Sequence, residues 1–130
     1  MFFQATTLSS ACVKPTVPVA PREPYVTKGP TEVLVGLYIQ GGPIDPGCPP
    51  QPRGPDSGVV TLSRNGKVVA TDAHANGGAL FVLRVAPGTY TLAARGGDFY
   101  GKGDGPHLGP VTVTVRKGQT VRRDLFLDVP

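Results

Sequence analysis

The chain has 130 residues, with 18 glycines, 15 prolines, two cysteines, no tryptophan and a formal net charge of +4. That length holds one domain with one core, and no apolar run approaches the ~20 residues of a membrane-spanning helix. The thirteen basic residues are scattered, at most in pairs, with Asp124 and Asp128 beside the last pair. A nucleic-acid surface needs a basic stripe interleaved with stacking aromatics, and none is present, so no nucleic-acid partner is expected. Glycine and proline at this level go with disorder when apolar residues are scattered. Here the apolar residues sit in short alternating runs with glycine and proline between them, the pattern of a turn-rich all-β domain.

In chain order, residues 1–30 stand apart. The stretch "KPTVPVAPREPYVTKGP" carries Pro15, Pro18, Pro21, Pro24 and Pro30. Prolines three apart favour an extended polyproline-like path and deny a helix its donors. Residues 1–30 therefore read as a proline-rich N-terminal tail or linker, and 31–130 as the domain. As a spacer at roughly 3 Å per residue, sixteen such residues reach about 50 Å.

From Thr31 the period is two. In "TEVLVGLYIQ", Val33, Val35, Leu37 and Ile39 face one way. The loop "GGPIDPGCPPQPRGPDS" has too many prolines for a regular element. "GVVTLSR" puts Val60 and Leu62 inward, and Asn65-Gly66 before "KVVAT" is a strong hairpin signal, because a type I′ turn needs positive φ at both central residues. After "DAHANGG" comes "ALFVLRV", with Phe81, Leu83 and Val85 on one face. Pro87-Gly88 carries the signature of a type II turn. "TYTLAAR" leaves it with Tyr90, Leu92 and Ala94 inward. After the glycine-rich loop 96–109, "VTVTVR" and "TVRRDLFLDV" form a closing hairpin, with Val113, Val115, Leu125 and Leu127 completing the expected core. The total is about seven short strands, consistent with two packed sheets.

The run from Val59 to Leu127 resembles the carboxypeptidase regulatory-like domains, relatives of the transthyretin or prealbumin-like sandwich. The residues that carry the resemblance are Gly58-Val59-Val60-Thr61-Leu62, Thr71-Asp72, Phe81-Val82-Leu83-Arg84-Val85, Pro87-Gly88-Thr89-Tyr90-Thr91-Leu92, Val113-Thr114-Val115-Arg116-Lys117-Gly118 and Leu125-Phe126-Leu127. The Pro-Gly-Thr-Tyr-Thr-Leu block is the most specific. Two features depart from the family: Phe81 stands nine residues after Asp72 instead of the habitual five, and the proline-rich loop has Cys48 alone where small secreted bacterial members carry two cysteines. The resemblance implies a seven-stranded Greek-key β-sandwich of prealbumin-like type, an extracytoplasmic location, and an accessory module without activity of its own.

Candidate chemistry is sparse. The stretch "LSSAC" resembles a bacterial lipobox with Cys12 as the acylated residue, although Leu8 stands four residues before the cysteine and not three. "MFFQATT" is too short for the apolar core of a leader and has no positive start, so a signal peptide would begin before Met1. Lipid attachment at Cys12 would give the only membrane contact expected. The alternative is a Cys12–Cys48 disulfide, worth about 3–4 kcal/mol by loop entropy in an oxidising compartment. The histidines, His74 and His107, fall in predicted loops without the paired spacing of a zinc site. A calcium site would draw on Asp72, Asp98 and Asp104, but the D-x-D-x-D-G order is missing. "RGGDFYGKGDGPHLGP" lacks both the helix and the Lys-Ser/Thr pair of a phosphate loop. Neither a metal, a cofactor nor a catalytic set is expected.

Three functions follow as expectations. The first is a non-catalytic extracytoplasmic module, secreted or lipid-anchored at the cell surface, that binds a protein or glycan or serves structurally. The second is a self-assembling subunit whose tail pairs with a neighbour. The third is a small carbohydrate- or calcium-binding domain using loops 40–57, 72–79 and 96–109, with Asp72, His74, Asp98, Tyr100, Asp104 and His107 as candidate ligand residues.

Overall fold

A computed structural model describes residues 15–41, 51–97 and 107–129. They form β1 (Tyr25–Lys28), β2 (Glu32–Val35), β3 (Leu37–Gly41), β4 (Gly58–Arg64) and β5 (Lys67–His74). β6 (Phe81–Arg84), β7 (Gly88–Gly96), β8 (His107–Val115), β9 (Gln119–Arg122) and β10 (Leu125–Val129) follow, and there is no helix among the described residues. The protein is all-β. One four-stranded sheet runs β5-β4-β7-β8, a second runs β1-β9-β2-β6, and β3 with β10 makes a two-stranded ribbon.

The period-two pattern does what it predicts. Val33, Val35, Leu37, Val60, Leu62, Phe81, Leu83, Tyr90, Leu92, Ala94, Val113, Val115 and Leu125 are all buried, in one cluster fed by both sheets and the ribbon. Each large aliphatic or aromatic side chain so placed contributes roughly 1.5–3 kcal/mol. Ile39, Val85 and Leu127 are half-buried, while Tyr38 and Val121 join the interior unannounced. The β4–β5 turn has positive φ at Asn65 (53°) and Gly66 (77°), as a type I′ turn requires.

Among the described residues there are ten strands where seven were expected, for three reasons. Tyr25–Lys28, inside the expected linker, pairs antiparallel with β9. The predicted first strand breaks at Gly36, and the predicted last strand breaks at Arg123-Asp124. These two breaks are one event. β2 runs parallel to β9, and β3 runs parallel to β10. The ladder continues across the gap through Arg123 N–H to Leu34 O (3.0 Å) and Leu125 N–H to Gly36 O (2.9 Å). Both strands leave one sheet together and enter the ribbon together. Gly36 permits this because a Cβ there would lie 3.0 Å from Asp124 Oδ1 and closer still to the Tyr38 ring.

The expected spacer is therefore not free from residue 15 onward. It runs along the domain and supplies an edge strand, while residues 1–14 lie outside the described set. The type II turn at Pro87-Gly88 is also corrected, because Gly88 has no positive φ and opens β7. What glycine supplies there is room: a Cβ would lie 3.0 Å from Arg64 Nη1 and 3.4 Å from Tyr90 Oη. The corner is held by the Tyr90 hydroxyl, which donates to Ala86 O at 2.5 Å.

Candidate functional site

Of the predicted site residues, Cys12, Cys48, Asp98, Tyr100 and Asp104 lie outside the described residues. Asp72, His74 and His107 lie inside, and all three belong to strands, not to the loops expected of them. β5 continues through His74, so the Thr71-Asp72 turn of the resemblance is a strand segment opposite Val60 and Thr61.

Asp72 and His74 do meet. Asp72 Oδ2 lies 3.1 Å from His74 Nε2 and accepts the Val82 N–H at 2.9 Å. The His74 ring stacks on Phe81 with centroids 4.3 Å apart. β5 and β6 are edge strands of different sheets, and this carboxylate bridges them where their main chains do not pair. The pair closes a corner of the fold.

His107 does not join them. The register runs His74 opposite Gly58, which shares the inward face with Val60, whereas His107 opposes Arg95, which opposes the outward Val59. The two imidazoles thus belong to opposite faces of one sheet. His107 instead borders a shallow depression with Val59, Thr61, Ala93 and Arg95. Among the described residues, no three His, Cys, Asp or Glu side chains converge in a way that could hold a metal ion.

The most concentrated polar chemistry lies elsewhere, at the shared break of the two long strands. The Asp124 side chain is fully buried (0% exposed). A carboxylate removed from water is tolerated only when its lone pairs are filled. Asp124 Oδ2 accepts the Ala20 N–H at 2.6 Å and Oδ1 accepts the Gly36 N–H at 3.0 Å. Arg122 closes the set, with Nε 3.2 Å from Oδ1 and Nη2 3.1 Å from Oδ2. Arg122 Nη2 also donates to Pro18 O and to Tyr38 Oη, the latter at 3.2 Å. The Tyr38 hydroxyl donates in turn to Val17 O at 3.2 Å. Burial first, and the Asp124 charge second, push the Tyr38 phenol up to about 12, with Arg122 pulling the other way.

This cluster reads the main chain of residues 17–20: two carbonyls and one N–H. Just beyond it, Arg22 lies over the Phe126 ring at 4.2 Å and 3.8 Å from Asp128 Oδ1. In the sequence Arg122 and Arg123 are only the last of the scattered basic pairs, with Asp124 beside them. One signal was available, since strict alternation from Val121 to Leu125 would turn Arg123 inward, and a charged residue at an inward position marks a strand that has stopped. Comparison with protein-family models, with curated proteins and with solved structures gives no match.

Proposed function

We propose that this chain is a non-catalytic extracytoplasmic module, a Greek-key sandwich of the carboxypeptidase regulatory-like type, that binds a partner or serves structurally at the cell surface. The strand order supports the Greek-key part. β4, β5, β6 and β7 are consecutive, β7 returns to lie beside β4, and β5 meets β6 through Asp72, giving the spatial order fourth-first-second-third.

The observation that carries the non-catalytic part is the engagement of Asp72. The carboxylate with a histidine at hydrogen-bonding distance already accepts a main-chain N–H and joins two sheets. A ligand taking that oxygen would compete with the fold. Metal analysis of the purified full chain, beside Asp72→Asn and His74→Ala variants, tests this. The expected result is no stoichiometric metal and a lowered melting temperature for Asp72→Asn. A stoichiometric metal lost in His74→Ala would overturn the reading.

The location is tested by mass spectrometry of Cys12 and Cys48 from the native host. A diacylglyceryl adduct on Cys12 supports the anchored form, and a Cys12–Cys48 disulfide supports the secreted one. Two free thiols would count against an extracytoplasmic module of either kind.

A further inference from the structure

Residues 15–28 are bound to the domain mainly through their main chain, with Arg22 on Phe126 and Asp128 and the half-buried Pro15, Val17 and Val19 as the side-chain contribution. All four β1 side chains are exposed, and within 15–28 Ala20 alone is buried. The segment therefore adds next to nothing to the core. It is held by the ladder Tyr25–Arg122, Val26–Val121, Thr27–Thr120 and Lys28–Gln119, and by the Arg122, Asp124 and Tyr38 side chains on Val17 O, Pro18 O and Ala20 N. A socket that reads main-chain groups of one extended sequence accepts that sequence from any copy of the chain.

The topology makes the segment separable. β9 lies between β1 and β2, so β1 can lift away while β9 keeps its parallel pairing with β2 and the core stays covered. Edge elements with few buried contacts are the first to open. Opening also leaves a strand edge unpaired and removes one donor from the buried Asp124, two vacancies that an identical segment fills. The joint is short. Gly29, Pro30 and Thr31 carry the chain across the start of β9, pinned by Thr120 Oγ1 to Pro30 O at 2.8 Å and Gly118 N–H to Thr31 Oγ1 at 2.9 Å.

We propose that residues 15–28 exchange between two copies of this chain, each segment filling the partner copy's Arg122–Asp124–Tyr38 socket and pairing with its β9. Reciprocal exchange is a low-cost route to a dimer because it reuses the contacts of the monomer. A tethered segment has an effective concentration on the order of millimolar, so the exchanged form grows as protein concentration approaches that range. The inference is independent of where the module resides or what it binds.

The test uses the full chain with Cys12→Ser and Cys48→Ser, so that introduced thiols are the only ones. Lys28 and Gln119 are register partners outside the socket. A Lys28→Cys/Gln119→Cys double variant treated with a short bis-maleimide should close within one chain, verifying the β1 register. Separate Lys28→Cys and Gln119→Cys chains are then mixed and cross-linked. Exchange predicts a crossed dimer that increases with concentration, exceeds the dimers of either variant alone, and is suppressed by excess synthetic peptide of residues 15–28. If the double variant closes but the mixture gives no crossed dimer above background, the segment stays on its own chain and the proposal fails. If the double variant does not close, the pairing on which exchange depends is absent, and it fails equally.

Discussion

At the scale of single residues, two aspartates four positions apart differ sharply in what they do. Asp124 is enclosed and bonded to two main-chain N–H groups and a guanidinium, whereas Asp128 faces Arg22 at 3.8 Å with both side chains more than half exposed. Removing one partner of a buried pair leaves an uncompensated charge, so Asp124→Ala should cost about 3–5 kcal/mol. Asp128→Ala should cost no more than about 1 kcal/mol, because exposed pairs are screened. Urea denaturation of the two variants decides it, and similar midpoints would show that the Asp124 cluster is not the clasp described. Tyr38 adds a pH signature. Its phenol titrates near 12 when folded against 10.0 in an ordinary setting, so the unfolded chain loses that proton first as pH rises. The contribution is complete below pH 10 and is lost between pH 10 and about 12, and stability should fall over that window. Tyr38→Phe should flatten this part of the profile, which melting temperatures measured from pH 9 to pH 12 would reveal.

At the scale of elements, strands with one apolar face or a hairpin signal beside them were legible, and β1 was not. Phe81–Arg84 and Gly88–Gly96 alternate because one face meets the core and the other meets water. Leu92 has no exposed surface while Thr91 is exposed, so Leu92→Ala should cost about 2–5 kcal/mol and Thr91→Ala little. Equal losses on thermal melting would mean that the register is inverted. β1 escaped the sequence because "YVTK" buries no side chain and sits among prolines, leaving no period to detect. The breaks at Gly36 and Asp124 escaped for another reason. Each is caused by the other across 88 positions, and local composition carries no trace of a partner so distant. Pro87-Gly88 departs from the type II expectation because Gly88 has no positive φ, and what it leaves is room beside the Arg64 guanidinium and the Tyr90 hydroxyl.

At the scale of the molecule, the all-β class was present in the spacing of glycine, proline and alternating apolar residues. The candidate site was legible only as residue types. The residue types of Asp72 and His74 point to chemistry, and the two spend it on each other and on the Val82 N–H, whereas Arg122, Asp124 and Tyr38 are each ordinary alone and significant only together. The position of β9 between β1 and β2 has a consequence in time. A ribosome makes residues 15–28 long before β9, yet β1 pairs with β9 alone, whereas β2 also has β6 beside it, and the socket for residues 17–20 needs Arg122 and Asp124. Domains are often described as gaining structure from the N-terminus during synthesis, but residues 15–28 have no partner strand or socket until β9 and Asp124, about a hundred residues later, have emerged. A chain ending at Lys117 should therefore be cut by trypsin after Arg22 and Lys28 far faster than the full chain, and protection of those bonds in the shortened chain would show another order of assembly. Until then residues 15–28 remain open to whatever chaperone, protease or modifying enzyme meets them, and only the arrival of β9 and Asp124 withdraws them.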